Sequence, residues 1–123
     1  RLPNTLAVAR DSMVRLFEAI ASQQRMSSIT IQVRRVAGEE PFAFDVLVRE
    51  GESETRHHVT MSRATAERLT VGQHTAEHCL EAAFRFLLDR EPKESILGRF
   101  DVDVIKRYFP EFERELPRYL AQA

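Results

Sequence analysis

The sequence predicts an α+β domain, a three-stranded antiparallel meander with helices packed on one face, led by an amino-terminal amphipathic helix. Three observations carry this. Between Ile29 and Met61, three segments alternate apolar and polar residues, the period of a half-buried strand. The connections near Gly38 and Gly51 are short and polar, which favours successive hairpins. Before and after this block, apolar residues recur at steps of three and four, the period of helices with one buried face.

Asn4 or Thr5 caps a helix running to about Gln23. Leu6, Ala9, Met13, Leu16, Phe17 and Ile20 form its apolar stripe, while Arg10, Asp11, Arg15, Glu18 and Ser22 lie mostly away from it. Such a face is buried against the domain or against a second copy, and Met13, Phe17 and Ile20 are the candidate interface of a homodimer. Residues 1–25 are therefore read as a leading helix and residues 26–123 as a single α+β domain. In the first strand Ile29, Ile31 and Val33 alternate with Thr30, Gln32 and Arg34. In the second, Phe42, Phe44, Val46 and Val48 share a face, and in the third His57, Val59 and Met61 do. Ser62 caps a short helix to Leu69, and Thr75 caps a longer one with Leu80, Ala83, Phe84, Leu87 and Leu88 as its buried stripe. Pro92, Gly98, Pro110 and Pro117 divide the remainder into short helices, with Asp101 as a further cap and Pro117 as a kink.

Composition excludes several classes of function. The chain has 123 residues, 43% hydrophobic and 30% charged, with a net charge of −1. That fits one soluble domain and gives no whole-molecule attraction to nucleic acid or anionic lipid. No apolar run approaches the roughly 20 residues that span a bilayer. One cysteine rules out an internal disulfide framework and fits a reducing cytoplasm.

The candidate chemistry is sparse. His74, His78 and Cys79 are residue types that bind zinc, but adjacent helical residues point about 100° apart and no fourth ligand is in register. No metal site or cofactor is predicted. Cys79 as a nucleophile would need a lowered pKa and an oriented base, and no glycine-rich turn or oxyanion motif accompanies it. The order helix, three strands, helix is that of a double-stranded RNA-binding domain, yet the last helix opens Thr75-Ala76-Glu77-His78 without a lysine. Nucleic acid is an unfavoured partner. The polar sheet face offers more: Arg34, Arg49, Arg56 and His58 are the candidate recognition residues, an anion site for phosphate or a partner's carboxylates. Arg49 and Arg56 are expected nearly opposite one another across the second hairpin.

From Glu81 to Tyr119 the chain resembles the carboxy-terminal part of a group of short bacterial proteins of unknown function. The strand region from Phe42 to Val59 is similar to theirs too, with RHHVT at Arg56 to Thr60. This resemblance implies a bacterial, cytoplasmic source and carries over no activity or functional residue. The sequence thus predicts a non-enzymatic, cytoplasmic protein-interaction or regulatory module with a protein partner. The alternatives are a nucleic-acid-associated or antitoxin-like regulator, and a metal- or thiol-dependent enzyme around His74, His78 and Cys79.

Overall fold

The computed structural model of the chain describes residues 29–122. The expected leading helix, with Met13, Phe17 and Ile20, lies outside the described residues. Strands β1 (Ile29–Ala37), β2 (Phe42–Glu50) and β3 (Ser53–Met61) pair antiparallel in succession, as the alternation predicts. The β2–β3 hairpin closes through Gly51 and Glu52, with Glu50 opposite Ser53. Gly51 has φ 62°. A positive φ at the first of two loop residues is the type II′ geometry, which matches strand twist and which glycine adopts without a Cβ clash. A bulge between Arg35 and Ala37 ends the regular register of β1.

The meander is not the whole sheet. A short strand β4 (Arg99–Asp101) adds to β3 in parallel, with His58 opposite Arg99 and Val59 opposite Phe100. The expected three-stranded antiparallel sheet is thereby corrected to a four-stranded mixed sheet of order β1-β2-β3-β4. The reason lies in the connection. A parallel partner needs a long crossover, and the helices between Met61 and Arg99 supply one.

Helix α1 (Arg63–Thr70) starts at Ser62, whose hydroxyl accepts from the Thr65 N–H. Helix α2 (Ala76–Leu88) starts at Thr75, which accepts from His78 N–H in the same way. Each cap satisfies one orphan donor and contributes about 1 kcal/mol. A 3-10 turn at Lys93–Ser95 leads into β4; a second, Val102–Val104, is capped by Asp101 and continues into α3 (Ile105–Tyr108). Helix α4 (Phe112–Gln122) closes the chain and runs through Pro117.

Helix α2 is the middle layer. Its Phe84 meets His57 and Phe100 on the sheet side, at ring separations of 5.3 and 6.1 Å. Phe86, about 200° further round the helix, meets Phe109, Phe112 and Tyr119 at 5.9, 5.0 and 5.7 Å. A single stripe on α2 is therefore too narrow an expectation. Cys79, Ala82 and Phe86 are also wholly buried, because α4 covers the side of the helix that faces away from the sheet. Below α2 lie Phe44, Val46, Val48, Val59 and Met61, each 0–1% exposed.

Among the described residues, one charged side chain is inside. Lys93 is 3% exposed. Its Nζ donates to Ser53 Oγ at 2.7 Å and to Glu94, and lies 3.7 Å from Glu50. Buried ammonium groups persist when ion-paired and hydrogen-bonded. Here they pin the β2–β3 hairpin to the 3-10 turn. At the other end of the sheet, Arg35 stacks over Phe42 and Phe44 at 4.5 and 5.5 Å and ion-pairs with Glu77 at 2.8 Å.

Candidate functional site

The four recognition residues expected from sequence all stand on the outer face of the sheet, away from the helices. Strand alternation puts them there, since their neighbours Val33, Val46, Val48, His57 and Val59 turn inward. Arg34 and Arg56 are the most open, with side chains 78% and 80% exposed. A groove of about 510 Å³ runs between them, lined by Gln32, Arg34, Asp45, Leu47, Arg56 and His58 and bounded by Gly98. A Cβ at Gly98 would meet nothing within 4 Å, so the groove is open at that end.

Carboxylates on this face are shared. Asp45 ion-pairs with Arg34 at 3.6 Å and lies 3.1 Å from His58 Nδ1. Glu54 holds both Arg49, at 3.0 Å, and Arg56, at 3.5 Å. The expected pairing of Arg49 with Arg56 is corrected by the register. Arg49 is opposite Glu54, and Arg56 is opposite Leu47. The two-residue loop centres the hairpin between Gly51 and Glu52, so the arginines sit diagonally and share one acid instead of repelling head-on. Exposed pairs of this kind contribute roughly 0–1 kcal/mol each. They hold the guanidinium groups in place without withdrawing them from water.

Sequence reading missed one member of the face. Parallel pairing with β3 places Arg99 opposite His58, and paired residues share a face, so Arg99 points outward as well. No other described residue ion-pairs with it. The third carboxylate here, Asp101, is occupied: it accepts from the Thr60 hydroxyl at 2.7 Å and from Asp103 N–H at 2.9 Å. Four arginines and a histidine thus share one open sheet face with two accessible acids.

The His74, His78 and Cys79 group does not assemble into a reactive centre. Cys79 is wholly buried, and burial pushes its thiol up to about 12, so it is not a thiolate near neutrality. The His74 and His78 rings stack face to face, 4.7 Å apart and 9° from parallel, although the cap at Thr75 separates them in sequence. His78 is half-buried, and its Nε2–H donates to the Leu120 carbonyl at 2.9 Å. Among the described residues no group of three or more His, Cys, Asp or Glu is placed to hold a metal ion.

His57 is the buried counterpart of His58. Its Nδ1–H donates to the Leu97 carbonyl at 2.7 Å, and its Nε2 accepts from the Thr55 hydroxyl at 2.8 Å. Burial lowers its pKa, opposed by the Leu97 bond, and the ring serves as a neutral brace between β3 and the β4 entry. A smaller apolar cleft of about 220 Å³ lies between the end of α2 and α3. Leu87, Ile96, Phe100, Ile105 and Phe109 line it, and Leu97 and Tyr108, 48% and 66% exposed, form its rim. It can hold an apolar group, and Glu91 and Ser95 add polar atoms to its wall.

No protein-family model matches the chain, and no curated protein or solved structure is significantly similar to it. Among the described residues no helix is long and apolar enough to cross a membrane.

Proposed function

We propose that this protein is a small, non-enzymatic, cytoplasmic interaction module that engages an acidic segment of a protein partner through the outer face of its sheet. One observation carries the reading: Arg34, Arg49, Arg56 and Arg99 stand on a single open face, where the first three share the accessible carboxylates of Asp45 and Glu54 and Arg99 ion-pairs with no described residue. Guanidinium forks pair bidentately with carboxylates, so a partner's acids can replace or join these two without leaving a charge unmatched. Leu47, half-buried at the centre of the groove, adds an apolar contact for a side chain between the partner's acids. A nucleic acid fits less well. Its phosphates would meet Asp45 and Glu54 at close range, and the outer-face positions of the meander offer no Phe, Tyr or Trp ring for base stacking.

Fluorescence anisotropy with labelled poly-glutamate tests the reading, with single-stranded RNA of the same length as the rival probe. Poly-glutamate binds the native protein, and Arg49→Ser combined with Arg56→Ser abolishes that binding while the thermal midpoint stays unchanged. Equal binding by native protein and variant overturns the site. Salt-sensitive RNA binding without poly-glutamate binding transfers the assignment to a nucleic-acid regulator.

A further inference from the structure

The charges of the outer face stand in a row. Arg34 pairs with Asp45, Asp45 with His58, and His58 with Arg99, so each of the four strands contributes one residue in register. Paired residues share a face, and the order across the sheet is cation, acid, imidazole, cation. Gln32, Leu47 and Arg56 form the adjoining row. The groove of about 510 Å³ lies between these two rows and ends at Gly98, the entry to β4. It therefore runs across the strands and not along them. A segment laid in it meets side chains only and cannot add a strand to the sheet.

This layout has a spacing and a charge order. Neighbouring strands lie about 4.8 Å apart, so three steps separate Arg34 from Arg99 by about 14 Å. An extended peptide rises about 3.4 Å per residue and turns alternate side chains to the same wall, so residues i and i+4 are also about 14 Å apart. Residue i+2 then falls midway, over Asp45 and His58. Asp45 lies 3.6 Å from Arg34 and 3.1 Å from His58 Nδ1. A partner carboxylate that takes Arg34 leaves Asp45 with His58 alone. An acid at i+2 would then stand against Asp45, whereas a lysine there restores its ion pair.

We infer that this face selects charge order and not acidity alone. Its ligand is an extended segment with acids at i and i+4 and a base at i+2, laid across the strands with the acids on Arg34 and Arg99 and the base on Asp45. This selectivity rests on the acidic-partner reading and narrows it to one pattern.

Three labelled peptides in one Gly-Ser host, titrated against the full chain and read by fluorescence anisotropy, test it. The first carries Glu-Ser-Lys-Ser-Glu, which is palindromic, so its charge order is the same in either chain direction. The second, Glu-Ser-Glu-Ser-Glu, is more acidic, and the third, Glu-Glu-Ser-Ser-Lys, has the composition of the first with its acids adjacent. The first should bind about fivefold more tightly than either of the others, the factor expected of one exposed ion pair. Asp45→Asn should remove the penalty of the central glutamate, and Arg99→Ser the advantage over the adjacent acids. Both residues are exposed, and the peptide series on the native protein decides the matter without them. Tightest binding by the most acidic peptide, or equal binding by all three, overturns charge-order selection and leaves the acidic-partner reading standing. Binding of poly-glutamate with none of the three peptides bound does the same. Failure of all three and of poly-glutamate overturns both.

Discussion

Val71 gives a sharp test of the backbone reasoning. It follows α1 with φ 54° and ψ 32°, the left-handed conformation, and its N–H closes the helix by donating to the Glu67 carbonyl. It is also 78% exposed. Left-handed backbone costs an L-residue roughly 1–2 kcal/mol, and a β-branched side chain sits badly there. Glycine removes that cost but loses about 0.5–1 kcal/mol more to unfolded-state entropy. Because so little of the side chain is buried, Val71→Gly forfeits almost no packing. The balance is a stabilisation of roughly 0.5–1 kcal/mol, which raises the melting temperature of a domain this size by about 2–6 °C. Val71→Asn should gain a similar amount, since asparagine tolerates the same region. Calorimetry or urea unfolding of the two variants measures it. If both are destabilised with an unchanged m-value, the strain argument fails and Val71 must contribute burial that its exposure does not suggest.

Two further outcomes follow from the core. Neutral His57 is favoured in the folded state and its pKa lies below the ordinary 6.5. The brace therefore contributes fully above about pH 6.5, and its contribution is lost as pH falls through the lowered folded value. The urea midpoint of the native protein should drop more steeply below pH 6.5 than that of His57→Gln, and parallel profiles would exclude a role for this imidazole. Phe86, wholly buried among Phe109, Phe112 and Tyr119, should cost about 3–5 kcal/mol when replaced by alanine. A loss under 1 kcal/mol in chemical denaturation would mean that α4 is not the second face of α2.

The parts of the fold that were legible in sequence are those set by local chemistry. Alternation over Phe42–Val48 and His57–Met61 gave the inner face of the meander, and Ser62, Thr75 and Asp101 act as caps. Strand β4 was not legible because three residues, Arg-Phe-Asp, are too few to display a period. Its neighbour Gly98 and its own last residue Asp101 read as helix punctuation instead. The position of Lys93 was equally hidden, since lysine is ordinarily exposed and Ser53 and Glu50 come from a distant hairpin. The register error at Arg49 and Arg56 had a local signal that was available. A glycine at the first position of a two-residue loop specifies the type II′ turn, and that turn alone places Arg49 opposite Glu54.

The parallel pairing of β4 makes the outer face conditional on complete folding. Arg34, Arg49 and Arg56 are set by two hairpins, which form early because their partners are close in sequence. Arg99 joins them only after the chain has passed through α1 and α2 and returned to His58. Three paired residues, the His57–Leu97 bond, the His58 N–H to the Gly98 carbonyl and the Thr60–Asp101 bond hold that last strand, the shortest in the sheet. Peeling it away would remove one arginine and the Gly98 boundary of the groove while leaving the meander intact. The proposed partner surface is thus tied to the shortest strand of the sheet, so occupancy of the groove and closure of the sheet should rise and fall together.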